Sequence, residues 1–219
     1  HLSYSLLNGL VPSSFEESKT LSQLSKDFKA ASDYEDRLQI GFVINKNTPE
    51  LLAKTAKSLR FKNVRICGYR EIFSEENVEQ FAAMTYIIKN GKNEEVIISY
   101  RGTDDTLVGW KEDFNIVWQD QIPAQKDALV YIEDAAKFFK NGFVIVGHSK
   151  GGNLAINTAV KCGEKIQKRI KQIYNFDGPG FAEDFFNQPE YLAIESKLVN
   201  IYPEMSLVGM IFHHPKKYE

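Results

Sequence analysis

The segment FVIVGHSKGGNLA, residues 143 to 155, contains the residues best spaced for covalent chemistry. Gly147-His148-Ser149-Lys150-Gly151 fits the pattern Gly-x-Ser-x-Gly, in which a serine occupies a strained turn between a strand and a helix and flanking glycines keep Cβ atoms away from close backbone. A serine so placed attacks a carbonyl carbon once a base takes its proton and a carboxylate orients that base. The bland alternative, a flexible glycine loop, requires neither the apolar strand-like run before the motif nor the small and apolar NLAINTAV after it.

Histidine is the usual base, and the chain has four: His1, His148, His213 and His214. His1 is terminal, and His148 adjoins the serine and points away from it in an elbow, which leaves His213 or His214, with His214 preferred. A frayed tail, FHHPKKYE, is the competing explanation for that pair. For the acid, Asp177 ends the strand-like QIYNFD and is preferred, although Asp-Gly-Pro-Gly is itself a turn sequence. Glu204, at the end of KLVNIYPE, is its rival. Backbone N–H groups must meet the developing oxyanion. The N–H of Lys150 is one candidate, and the loop in VIISYRGTDD supplies the other around Gly102 and Thr103, with the Thr103 hydroxyl as a further donor. Thr103, Asp104 or Asp105 could equally cap a helix beginning in TDDTLVGWKEDF.

The elements that must position these groups alternate. VRICGYREIF reads as a strand, and FAAMTYIIKNGKNEEVIISYRG as two strands joined at Lys-Asn-Gly-Lys-Asn. A helix is expected from about Pro123 to Phe139 with Ala128, Ile132, Ala135 and Ala136 on one face, then the strand FVIVG, a helix from Gly152 to about Ile170, and the strand QIYNFD. A helical FAEDFFNQPEYLAIESK and a last strand KLVNIY follow. Strands separated by helices imply a mainly parallel sheet with helices on both faces and an antiparallel N-terminal part, with function at the carboxyl ends of the strands. Residues 1–219 are expected to form one α/β domain, the first sixty being a mostly helical extension packed on it. Leu107 and Trp110 of TLVGW are expected on a helical core face, the alternative being an apolar wall or lid. The Lys150 side chain would favour a substrate with an anionic part or reach solvent along its stem.

The chain has 219 residues, 43% of them hydrophobic, which suffices for a sizeable core, and a net charge of -2 argues against a nucleic-acid partner. Cys67 and Cys162 cannot form a disulfide framework or a zinc site, and read as buried thiols of a cytoplasmic protein. No apolar run is long enough to span a membrane, and the first segment lacks the pattern of a signal peptide, although a start at His1 in place of Met is expected of a trimmed chain. No metal or cofactor is implied.

Two separated motifs resemble one family. ISYRGTDDTLVGWKEDF is similar to the Arg-Gly-Thr/Ser segment followed by Trp and Asp in the class 3 lipases, and VIVGHSKGGNLA resembles their Gly-His-Ser-x-Gly-Gly-x-Leu-Ala elbow. The resemblance runs from Val96 to about Val208 and implies an α/β-hydrolase fold with a Ser-His-Asp mechanism, Ser149 as nucleophile and Thr103 at the oxyanion hole. The chain looks closer still to a bacterial group of uncharacterised lipase-like proteins, which share FDGPGF and a Pro-x-x-Ser-x-Val-Gly-Met segment, here Pro203 to Met210. Class 3 lipases place their acid in an Asp-x-Val-Pro context, where this chain has Glu204 and Ser206 and no aspartate. Members of the bacterial group carry a further histidine past the position of Glu219, so the base is His213, His214 or that residue. The expected activity is hydrolysis of a small-molecule or lipid-like carboxylic ester through an acyl enzyme on Ser149. A thioesterase or amidase with the same triad, and a non-catalytic binding protein on a hydrolase scaffold, are the alternatives.

Overall fold

The computed structural model describes residues 2–5, 7–38, 47–103, 106–116, 121–206 and 212–214, the side chain of Phe114 excepted. Seven strands lie in one sheet in chain order: β1 (Lys19–Thr20), β2 (Arg65–Ser74), β3 (Glu79–Asn90), β4 (Asn93–Tyr100), β5 (Phe143–His148), β6 (Ile170–Phe176) and β7 (Leu198–Ile201). The pairs β1–β2, β2–β3 and β3–β4 are antiparallel, and β4–β5, β5–β6 and β6–β7 are parallel. The change of direction at β4 follows from the connections. β3 and β4 are joined by a tight turn at Gly91 and Lys92, whereas helices fill the gaps between the later strands.

The helices are α1 (Leu21–Ala30), α2 (Tyr34–Arg37), α3 (Thr48–Lys57), α4 (Leu107–Asn115), α5 (Pro123–Phe138), α6 (Lys150–Lys161), α7 (Glu164–Gln167) and α8 (Pro189–Leu192). On one face of the sheet Ala128, Ile132 and Ala135 of α5 and Leu154 and Ala159 of α6 pack on Ile98, Phe143, Ile145 and Ile173. On the other, Leu24 and Phe28 of α1, Leu52 of α3 and Leu7 meet Ile66 and Met84. β3 serves both cores by strand alternation, with Phe81 and Ala83 facing the first and Met84 the second. α1 is opened by a reciprocal cap: Gln23 N–H donates to Thr20 Oγ1 (3.2 Å) and Thr20 N–H to Gln23 Oε1 (2.8 Å).

Three expectations need correction, and one strand went unforeseen. The helix expected to run to Ile170 stops at Lys161, because Gly163 at φ +77° turns the chain, and Ile170 begins β6 instead. FAEDFFNQPEYLAIESK is broken into a 3-10 turn (Glu183–Asn187), α8 and a second 3-10 turn (Glu195–Lys197), since Pro189 has no N–H to continue a helix. Aromatic stacking of Phe181 on Phe185, with ring centroids 3.9 Å apart, holds this irregular segment. Leu107 and Trp110 do not face the core; they are 78% and 40% exposed. The short edge strand β1 had no strand-like run to announce it.

A mixed sheet with helices on both faces, parallel from β4 onward and with a glycine-flanked serine between β5 and α6, is an α/β-hydrolase fold.

Candidate active site

β5 lies between β4 and β6, its Phe143, Val144 and Ile145 buried, and delivers the chain to Ser149 at the carboxyl edge of the sheet. Ser149 has φ +54° and ψ -133°, close to a region that only glycine enters freely, and α6 starts at the next residue. Two bonds fix the turn: Ser149 N–H donates to the Phe176 carbonyl (2.9 Å) and Gly152 N–H to the Ser149 carbonyl (2.8 Å). A Cβ on Gly147 would fall 1.9 Å from the Gly151 carbonyl oxygen, so a side chain is forbidden there. Ser149 itself is half-buried.

The loop after β4 passes beside the serine. A Cβ on Gly102 would sit 3.0 Å from Ser149 Cβ. Thr103 is buried, and its hydroxyl donates to Asp113 Oδ2 on α4 (2.6 Å). A hydroxyl has one proton to donate, so the Thr103 side chain in this arrangement anchors the loop and leaves the backbone N–H as what Thr103 could offer an oxyanion. Thr103 does not cap the helix; Thr106 Oγ1 accepts from Gly109 N–H (3.1 Å) instead. The other capping candidates, Asp104 and Asp105, lie outside the described residues.

Lys150 contradicts both expectations for its side chain. It reaches neither solvent nor a substrate site: its Nζ lies 2.6 Å from Glu112 Oε2, with both side chains fully buried. The ammonium also donates to the carbonyl (2.6 Å) and side-chain oxygen (3.0 Å) of Gln80 on β3.

Asp177 follows β6, at φ +55°, on the same edge as Ser149. Its N–H donates to the Ile201 carbonyl of β7 (2.9 Å) and its carboxylate accepts the Ser206 hydroxyl. Glu204 is exposed in the turn between β7 and Ser206. His213 forms an antiparallel bridge with Phe181, each N–H donating to the other's carbonyl at 3.1 Å. His214 is half-buried and its Nδ1 lies 3.2 Å from Tyr202 Oη. Tyr202 in turn is within 3.1 Å of Asn175 Nδ2, which also donates to Asn200 Oδ1 (3.0 Å). Burial above all, with the Asp177 charge adding to it against the Asn175 hydrogen bond, pushes the Tyr202 phenol up to about 12. Ser149 and Asp177 thus share the strand ends, and the FHH segment is drawn in beside Phe181. Asp177 is bonded to Ser206 and His214 to Tyr202. Of the segment Pro203 to Met210, residues 207 to 210 lie outside the described residues.

Tyr4, which carried no motif in the sequence, reaches this site from the N-terminal turn Leu2–Tyr4. Its hydroxyl accepts from Gly102 N–H (3.1 Å) and meets His148 Nδ1 at 2.9 Å. His148 is thereby turned to Tyr4, and burial holds its imidazole below the usual value against the opposing charge of Asp177. An open groove of about 290 Å³ runs beneath, lined by Leu2, Tyr86, Ser99, Val146, His148 and Phe176 among others. Among the described residues no cluster of three or more His, Cys, Asp or Glu could hold a metal ion, and no helix is long and apolar enough to cross a membrane. Cys67 and Cys162 are both buried and unbridged.

Residues 55–219, more than half of the chain and including the elbow, Thr103 and Asp177, match the model of a family described as Mbeg1-like. The chain belongs to the Mbeg1-like family. No curated protein sequence matches it. Solved structures similar to this Mbeg1-like chain include two lipases and an esterase. A fungal lipase in complex with an inhibitor, described as a model for interfacial activation, is 14% identical with a TM-score of 0.44, over 64% of this chain and 59% of its own. M37 lipase is 18% identical, with a TM-score of 0.44, over 84% and 67%. Brefeldin A esterase, a bacterial homologue of human hormone-sensitive lipase, is 12% identical, with a TM-score of 0.37, over 92% and 75%. The Mbeg1-like chain therefore spans less than two thirds of the fungal lipase it resembles.

Proposed function

We propose that this chain is a serine hydrolase of carboxylic esters, acting on small-molecule or lipid-like substrates through an acyl enzyme on Ser149. The single observation that carries the reading is the backbone at Ser149. A serine forced to φ +54°, ψ -133° between the central strand and a buried helix pays a conformational cost that an ordinary turn avoids. Such strain is understandable where it exposes a nucleophilic oxygen at the strand ends.

In the reaction, Ser149 Oγ attacks the ester carbonyl carbon while its proton passes to a histidine. The tetrahedral oxyanion is met by the backbone N–H groups of Lys150 and Thr103. Collapse breaks the bond to the alcohol, which leaves with the proton held by the histidine. Water then repeats the sequence on the acyl enzyme and frees the acid. We assign the base to His214 and the acid to Asp177, with His213 and Glu204 as the rivals. Asp177 is supported by its place beside Ser149 on the sheet edge, and by Ser206, whose hydroxyl fixes the direction of the carboxylate. Residues 1–219 would act as one hydrolase domain, with the first sixty packed on it as an extension.

The alternative is a binding protein on a hydrolase scaffold, in which Asp177 holds Ser206 and His214 holds Tyr202. Turnover of p-nitrophenyl esters of graded acyl length, beside an acyl thioester and an anilide, separates the two. Ester hydrolysis lost in Ser149→Ala is the expected result; a folded parent inert on the whole panel would favour the binding protein.

A further inference from the structure

α4 is built the wrong way round for a helix that only fills a core. Its Leu107 and Trp110 are exposed, while Glu112 is fully buried. The buried carboxylate is saturated. Glu112 Oε2 takes Lys150 Nζ (2.6 Å) and Gln80 N–H (3.1 Å), and Oε1 takes Ala124 N–H at the start of α5 (3.0 Å). The ammonium of Lys150 is equally committed, its three donors directed at Glu112 and at two oxygens of Gln80.

A buried ion pair of this kind is a poor device for stability, since apolar residues of similar volume often do as well or better. What it does supply is direction. Lys150 is the residue immediately after Ser149, so anchoring its side chain fixes the first turn of α6 and the backbone N–H it carries. The next residue on α4, Asp113, holds Thr103 through its hydroxyl. Two consecutive carboxylates therefore tether, from one helix, both segments to which the oxyanion donors are assigned.

We propose that Glu112 is a positioning residue for ester turnover, holding the Lys150 N–H at the oxyanion through the buried Glu112–Lys150 pair, with α4 as the shared support of both donors. The proposal rests on the serine-hydrolase reading above. Its chemistry is geometric: displacement of a donor by about 1 Å can cost about 100-fold in rate with the substrate still bound. The effect belongs in kcat and in affinity for a tetrahedral adduct, and not in KM.

The test compares the full chain with two variants. Glu112→Asp keeps the charge but withdraws it by one methylene. Glu112→Gln/Lys150→Met removes both buried charges together and so leaves no lone ion in the core. Each is measured for kcat and KM on p-nitrophenyl butyrate, for inhibition by butylboronic acid, which forms a tetrahedral adduct on the serine, and for thermal unfolding. The expected result is a fall in kcat of about 10- to 100-fold, a parallel weakening of boronate inhibition, and KM within about threefold in any variant that retains a cooperative melt. Parent-like kcat and boronate affinity in either folded variant would overturn the proposal, as would a loss confined to melting temperature. Glu112→Asp carries the decision if the double variant does not fold. A parent that neither hydrolyses the ester nor reacts with a fluorophosphonate overturns the hydrolase reading itself, and the proposal with it. An active parent beside unaffected variants overturns the proposal alone.

Discussion

Replacing Ser149 by glycine should make the protein more stable than replacing it by alanine, although both variants lose the nucleophile. At φ +54°, ψ -133° any residue with a Cβ is strained, by about 1–3 kcal/mol. Alanine keeps that strain; glycine releases it. Against the gain stands the larger freedom glycine recovers on unfolding, about 0.5–1 kcal/mol. The remainder favours Ser149→Gly by about 1 kcal/mol, and for a chain of this size each kcal/mol moves the melting temperature by about 2–4 °C. Differential scanning calorimetry of the two variants under one buffer reads the difference directly. Equal melting points, or Ser149→Ala the more stable, would refute the argument that the turn stores strain, and would remove the observation on which the functional reading stands.

Thr103→Val, which removes the hydroxyl that anchors the loop on Asp113, should lower kcat by about 10- to 100-fold while Thr103→Ser remains within a few-fold of the parent; steady-state ester hydrolysis decides. Glu79 is pushed up to about 8, first by burial and then by its hydrogen bond and charge contact with Asp127. A carboxyl raised in the folded state keeps its proton where the unfolded chain has lost it. Its contribution is therefore complete below the ordinary carboxyl range and declines as pH rises from about 4.5 toward about 8. Thermal scans across that window should show a falling midpoint in the parent and a flatter profile in Glu79→Gln. Burial pushes the Cys67 and Cys162 thiols up to about 11 and about 12. Neither should react with iodoacetamide in the native protein at pH 8, and mass spectrometry should find both alkylated in denaturant.

The sequence discloses what is local. β5, the elbow and the start of α6 are legible because an apolar β-branched run, a glycine-flanked serine and small helix-forming residues follow one another without a gap. The β3–β4 hairpin and the buried face of α5 are legible for the same reason, through turn chemistry and periodicity. What is hidden depends on partners far along the chain. Lys150 reads as a surface lysine until Glu112, 38 residues earlier, is brought against it by the packing of α4. Tyr4 reaches His148 across 144 residues, and no spacing rule connects them. Leu107 and Trp110 mislead because apolar residues at helical spacing normally face a core, whereas α4 turns its carboxylates inward. The end of α6 was signalled by Gly163, a residue whose role as a stop is visible only with its positive φ.

The measurement that bears most directly on Ser149 as an activated nucleophile is covalent labelling by a fluorophosphonate, with the modified peptide mapped by mass spectrometry and Ser149→Ala as the control. A single adduct on the peptide containing Ser149, absent from the variant, is the expected result, because only a serine with a working base nearby attacks phosphorus at a useful rate. A correctly folded parent that stays unlabelled, or that is labelled equally in Ser149→Ala, would contradict the assignment of this site as the centre of a serine hydrolase.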